Sequence, residues 1–198
     1  MLKQYGFFNL LKLIYFKMRT NFVFKNARII RFPIDIRGRK FMDIGKGFTT
    51  GVGCRLEAYP EGNFKTLFVG ENFQMNDYVH ITAMQSVSIG RNVLLASKIY
   101  ISDCSHGSYS GDQYDSSPLE NPKDRKMFSK PVIIEDNVWL GEFVSVLPGV
   151  KIGKGTIVGA NSVVSKDLPE YVIAVGTPAK PIKKYNFETQ TWEKYKAL

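Results

Sequence analysis

The chain has 198 residues, 44% of them hydrophobic and 23% charged, and a formal net charge of +9. That length suits one domain with a buried core, and the apolar content argues against a disordered chain. The charge excess points to an anionic partner, but no zinc-finger spacing, RNA-binding signature or helix-turn-helix pattern accompanies it, so nucleic acid is not expected.

Residues 1–25 come first, as a helical segment. "MLKQYGFFNLLKLIYFKMRT" is broadly apolar with basic punctuation. Lys12 and Lys17 interrupt the run that would span a bilayer, and no small-residue cleavage site follows it. Two roles suit such a helix. It can cap the open end of the domain, or it can lie on a membrane with Lys3, Lys12, Lys17 and Arg19 near anionic lipid heads.

From there the chain follows a period of six. Ile44, Thr50 and Leu56 step by six, as do Val69, Met75 and Ile81, and then Ile89, Leu95 and Ile101. The longest run is Ile134, Leu140, Val146, Ile152, Val158 and Val164. Two residues before its later members stand Val138, Val144, Val150, Thr156 and Ser162, flanking Trp139, Ser145, Lys151, Ile157 and Val163. Inward, outward, inward is the alternation of a very short strand. The intervening "GEF", "LPG", "GKG" and "GAN" are turn chemistry. Short strands and short turns in strict alternation wind a solenoid around stacked aliphatic side chains. An antiparallel sandwich would instead show turns every 8–12 residues.

The phase breaks near residues 57–66 and 84–86. It is lost through residues 102–131, "SDCSHGSYSGDQYDSSPLENPKDRKMFSKP", a protruding loop long enough to be functional. Residues 26–184 thus form the repeat domain, and the tail at 185–198 is expected as a short helix packed on the rod. Two cysteines, Cys54 and Cys104, are too few for a disulfide framework and fit a reducing cytosol.

Over residues 36–184 these hexads resemble the hexapeptide-repeat acyltransferases. "VWLGEFVSVLPGVKIGKGTIVGANSVVSKDLPEYVIAVGTPAKPIKK" is similar to their maltose, galactoside and xenobiotic acetyltransferase branch, and "GTPAKPIKK" to the closing loop beside the coenzyme A channel. The resemblance implies an all-β fold, a left-handed parallel β-helix with three hexads per coil. It implies a homotrimer with active sites between neighbouring subunits and acetyl-CoA as co-substrate. The activity implied is O-acetyl transfer to a saccharide hydroxyl in bacterial cell-surface polysaccharide or lipopolysaccharide synthesis. Such an enzyme is expected in the cytoplasm, where a lipid-linked acceptor would bring it to the inner face of the membrane. A xenobiotic or small-saccharide acetyltransferase and a non-catalytic β-helix scaffold are the alternatives.

The long loop falls where that branch places its catalytic loop, and the resemblance puts the general base on His106. A sugar hydroxyl is a poor nucleophile at neutral pH, and a base of matched pKa helps most as it attacks. Many polysaccharide O-acetyltransferases read "SDHxHG" here; this chain reads "SDCSHG", with Cys104 in the first histidine's place. Asn76, in "VGENFQMNDYVHI", matches an active-site asparagine, which would position the acceptor hydroxyl or the histidine by hydrogen bonding. His80 is expected to face outward, as a surface or acceptor-groove residue. An acyl-cysteine route through Cys104 lacks an orienting acid, and Cys54 reads as core.

For the donor, outward Trp139 is a candidate for lining the coenzyme groove or anchoring a subunit contact. Backbone N–H groups near Gly141 and Glu142 are candidates for the oxyanion. Gly159, Ala160, Ser165 and Lys166 are expected on turns one coil apart along the pantetheine arm. Lys180, Lys183 and Lys184 are placed to meet phosphates. No metal is expected, because the related β-helix carbonic anhydrases need three histidines per zinc and this chain has two.

Overall fold

A computed structural model describes residues 2–196, with side chains from residue 6 onward. The hexads wind a three-faced parallel β-helix. The first face stacks Met42–Ile44, Leu67–Val69, Val87–Ile89, Val132–Ile134 and Lys151–Ile152. The second stacks Thr49–Thr50, Gln74–Met75, Leu94–Leu95, Trp139–Leu140, Ile157–Val158 and Val172–Val175. The third stacks Ile34–Arg37, Cys54–Ala58, His80–Ala83, Tyr100–Ser102, Ser145–Val146 and Val163–Val164.

Every hexad position read from the sequence is a register partner of its counterpart one coil away. Ile44, Val69, Ile89, Ile134 and Ile152 form one inward column, and Thr50, Met75, Leu95, Leu140 and Val158 the next. Leu56, Ile81, Ile101, Val146 and Val164 form the third. All are buried. Interleaved side chains of one layer on the next are what stabilise a rod whose individual strands are too short to stand alone.

The corners carry a second six-residue rhythm. Asn137, Phe143, Gly149, Gly155 and Asn161 all have positive φ near 60–80°, as do the pairs Asn72 and Tyr78, and Asn92 and Lys98. Left-handed backbone suits Gly and Asn and costs a bulky residue about 1–2 kcal/mol. The Tyr78 ring lies over Gly53, where an added Cβ would come within 2.5 Å of it.

The three phase breaks all fall at one corner, between the third face and the first. The longest is not an open loop. Cys104–His106 and Met127–Ser129 pair antiparallel, with Cys104 opposite Ser129 and His106 opposite Met127, so the excursion is a hairpin with a long tip. Asp103, wholly buried, anchors its base by accepting the backbone N–H groups of Met84, Gln85 and Ser86 at 2.7–2.8 Å.

The N-terminal helix spans Leu2–Val23, with a non-helical break at Gly6. Phe16, Thr20 and Phe24 turn toward the rod, where Phe24 meets Phe48 edge-on and Phe48 stacks on Phe73. Thr20 Oγ1 accepts the N–H of Ile30 at 2.8 Å and donates to the carbonyl of Phe16 at 2.7 Å. One face of the helix is thus packed on the N-terminal end of the rod. Lys3 lies outside the residues whose side chains are described.

The C-terminal tail corrects the expected helix. Lys180–Asn186 and Thr191–Lys194 form an antiparallel hairpin that continues the second face, so the boundary expected at residue 184 falls within a strand. The side chain of Asn186 accepts the N–H groups of Glu188 and Thr189 and makes the turn. Tyr185 packs on Trp192 across the hairpin, ring centres 5.3 Å apart. Residues 197 and 198 of that tail lie outside the described residues.

Candidate active site

His106 ends the first strand of the hairpin. Its carbonyl accepts the Tyr109 hydroxyl at 2.6 Å, and Arg125 donates to that same hydroxyl at 2.7 Å. The backbone is thereby pinned, while the imidazole is exposed and has no hydrogen-bond partner among the described residues. Asn76 is also exposed. It follows Gln74–Met75 at the corner between the second and third faces.

One chain does not bring these two together: they stand at opposite edges of the third face, one coil apart. The donor residues divide the same way. Trp139, Gly141, Glu142, Gly159 and Ala160 lie on the second face or the corner Asn76 occupies, and Lys180 and Lys183 on the strand that closes that face. Ser165 and Lys166 follow Val163–Val164 at the other edge, the edge that bears the hairpin. Gly159–Ala160 and Ser165–Lys166 are thus on successive corners of one coil, not one coil apart. The residue one coil below Gly159 is Gly141.

Gly141 corrects the oxyanion expectation. Its N–H is committed to the carbonyl of Val158 at 2.8 Å, and a Cβ there would come within 2.6 Å of the Ala160 nitrogen. Glycine is required at this corner for coil stacking, which leaves Glu142 as the one of the pair whose N–H bonds no backbone carbonyl among the described residues. Trp139 stands outward on the second face, 48% exposed, between Leu94 and Ile157.

The third face holds a cluster the sequence did not announce. Glu57 is only 4% exposed although it occupies an outward strand position. It accepts Arg37 Nη1 at 3.0 Å, Arg55 Nη2 at 2.5 Å and the Tyr59 hydroxyl at 2.9 Å through Oε1. Through Oε2 it meets His80 Nε2 at 2.8 Å and the Thr82 hydroxyl at 3.1 Å. Burial alone would raise the carboxyl's pKa, but the hydrogen bonds from His80, Arg55, Tyr59 and Thr82 outweigh it and hold it at about 2.

The cysteines are quiet. Burial pushes the Cys54 and Cys104 thiols up, and Cys54 Sγ donates to the carbonyl of Asn76 at 3.0 Å. A raised thiol pKa opposes an acyl-cysteine route through Cys104. Among the described residues no group of three or more His, Cys, Asp or Glu could hold a metal ion.

A β-helical prism with a histidine-bearing hairpin at one corner and paired small residues at another defines a class, the β-helix acyltransferases. The family described as bacterial transferase hexapeptide (six repeats) matches residues 131–166. An Escherichia coli (strain K12) protein provisionally named as the lipopolysaccharide biosynthesis O-acetyl transferase WbbJ is 47% identical over 192 residues, 97% of this chain and 96% of that one. The galactoside O-acetyltransferase of the same strain is 36% identical over 120 residues, 61% of this chain and 55% of that one. Among solved structures, AntD, an N-acyltransferase from Bacillus cereus in complex with dTDP and 3-hydroxybutyryl-CoA, superposes with a TM-score of 0.67. The match covers 83% of this chain and 83% of that one at 22% identity, and supports the fold alone. The chain belongs to the hexapeptide-repeat acyltransferases, and its fold is the left-handed parallel β-helix.

Proposed function

We propose that this chain transfers an acetyl group from acetyl-CoA to a hydroxyl of a saccharide during synthesis of a cell-surface polysaccharide or lipopolysaccharide. The observation that carries this reading is the end-to-end likeness to the lipopolysaccharide O-acetyl transferase, which runs through the hairpin and both ends as well as the repeats. In the proposed reaction His106 takes the acceptor's hydroxyl proton as the oxygen forms its bond to the thioester carbonyl. The tetrahedral adduct then collapses, the carbon–sulfur bond breaks, and the coenzyme leaves as a thiolate that is protonated. Asn76 of a neighbouring copy holds the acceptor, and Lys180 and Lys183 meet coenzyme phosphates. The active form is a homotrimer, because only adjoining copies can bring the two edges of the third face together.

The test needs no acceptor. A ligand that binds only the folded state raises the melting temperature by mass action. Acetyl-CoA should give a saturable rise that acetate and ATP do not. A folded trimer that ignores acetyl-CoA would favour the scaffold reading.

The place of action follows from charge. Residues 1–46 hold eleven lysines and arginines against two acidic residues, Asp35 and Asp43, whereas residues 47–198 hold sixteen of each. The excess charge of the whole chain therefore sits in the N-terminal helix and the first coil of the rod that follows it. That helix buries one face on the rod and leaves Phe8, Leu11, Tyr15, Met18 and Phe22 exposed at alternating three- and four-residue spacing, Phe8 and Phe22 each 84% bare. No helix among the described residues is long and apolar enough to cross a membrane. We infer that this face lies on an anionic lipid surface, where it would meet a lipid-linked acceptor.

A further inference from the structure

His80 is the one histidine that the fold orients. Its Nε2 lies 2.8 Å from Glu57 Oε2 and 2.9 Å from the Thr82 hydroxyl. Glu57 is ionised and can only accept, so Nε2 must carry the proton. The Thr82 hydroxyl donates to the same carboxylate at 3.1 Å. In the neutral ring the other nitrogen, Nδ1, then keeps its lone pair, and it has no partner among the described residues. The ring is about one-third exposed and packs edge-on against Tyr100, itself 39% exposed, with ring centres 5.5 Å apart.

The surroundings select the ligand's chemistry. Arg37 and Arg55 face Glu57 and Asp35, so the cluster's fixed charges cancel. An anion gains nothing net here. A neutral hydroxyl can donate to Nδ1, and a partly exposed aromatic ring beside it offers an apolar face to the C–H side of a pyranose. His80 also follows Asn76 by four residues around the corner onto the third face, so a saccharide held at Asn76 can extend over it.

We propose that the third face carries a hydroxyl-binding subsite, in which Glu57 and Thr82 fix His80 with Nε2 protonated so that Nδ1 accepts a hydrogen bond from a second hydroxyl of a neutral saccharide, with Tyr100 beside its ring. His80 here is a binding residue, and the proton of the acetylated hydroxyl still goes to His106. The inference rests on the saccharide-acceptor reading above.

The chain has only two histidines, so ring-nitrogen NMR of histidine-labelled protein gives two sets of signals that His80→Asn assigns. Whenever the His80 ring is neutral its proton should sit on Nε2, and Glu57→Gln should shift that ring toward a tautomer mixture. Methyl α-D-galactopyranoside, methyl α-D-glucopyranoside and methyl α-L-rhamnopyranoside are the probes, with ethylene glycol as the control that has hydroxyls and no ring. At least one glycoside should move the His80 Nδ1 signal saturably while ethylene glycol does not. With the best of these as acceptor, His80→Asn should raise its KM about tenfold, with a much smaller change in kcat and in the KM for acetyl-CoA.

Three results would overturn the subsite. They are a neutral His80 ring with its proton on Nδ1, no response to any glycoside, or dissociation of the trimer by His80→Asn, which would make this an interface residue. Failure of the acetyl-transfer reading looks different: acetyl-CoA leaves the melting temperature unchanged while the glycoside response at His80 persists.

Discussion

Glu57 is held ionised by His80 and Thr82 from the next coil together with Arg55 and Tyr59 two residues away. Arg37 and His80 arrive from the coils on either side, each twenty or more positions away. In "CRLEA" the alternation puts Glu57 outward, and an outward glutamate reads as solvated, so the sequence offered no sign of its burial. The hexad residues were legible because their partners repeat at a fixed period; Glu57 was not, because its partners do not. Its folded pKa of about 2 lies below the ordinary value near 4.3, so it stabilises the fold fully above that ordinary value and ceases to as pH falls through about 2. Glu57→Gln should therefore cost about 3 kcal/mol at pH 7, and the gap to wild type should close between about pH 4.5 and pH 2. Denaturant melts of both proteins across that range check this; a gap independent of pH would mean that the carboxylate charge is not what stabilises the cluster.

Two elements project from the rod, and the sequence read them unequally. The hairpin announced itself as a break in period, but its antiparallel pairing came from contacts between residues more than twenty apart. What holds it is Asp103, one residue past the last hexad strand. Asp103→Asn puts an NH2 group among three N–H donors, which should cost about 2 kcal/mol. Hydrogen exchange should quicken across 104–106 and 127–129 and stay slow in the coils. Equal loosening throughout would show that the hairpin and rod open as one unit. The tail was misread because its aromatic residues carry no visible period; Tyr185, Phe187, Trp192 and Tyr171 cluster only once the hairpin has turned at Asn186.

The helix was read as either a cap or a membrane element, and the two proposed roles would fall to its two faces, one packed on the rod and one bare. Co-sedimentation with phosphatidylcholine vesicles containing phosphatidylglycerol should exceed that with pure phosphatidylcholine and weaken with salt. Replacing Phe8, Leu11 and Met18 together by serine should abolish it while leaving the melting temperature near wild type, since none of the three touches the core. Loss of the trimer in that variant would instead mark the face as a contact between copies.

At the scale of the molecule, a solenoid places residues by hexad count. Asn76 and His106 fall on different corners of one rod, and no motion of a rigid stack brings them together. The two were identified from local motifs, which say nothing of their separation; that appears only when the coils are counted around the prism. If one reaction uses both, adjoining copies must supply one each, as cyclic symmetry permits. The most direct measurement is coenzyme A release by mixed trimers. Asn76→Ala and His106→Ala chains should each be impaired about 100-fold or more alone. Refolded together in equal amounts, they should recover roughly a quarter of wild-type activity, because about one junction in four then pairs an intact Asn76 with an intact His106. Recovery to that level would establish a site built between copies. Mixed trimers no more active than their parents would contradict it, and would mean that each chain does its chemistry alone or not with these residues.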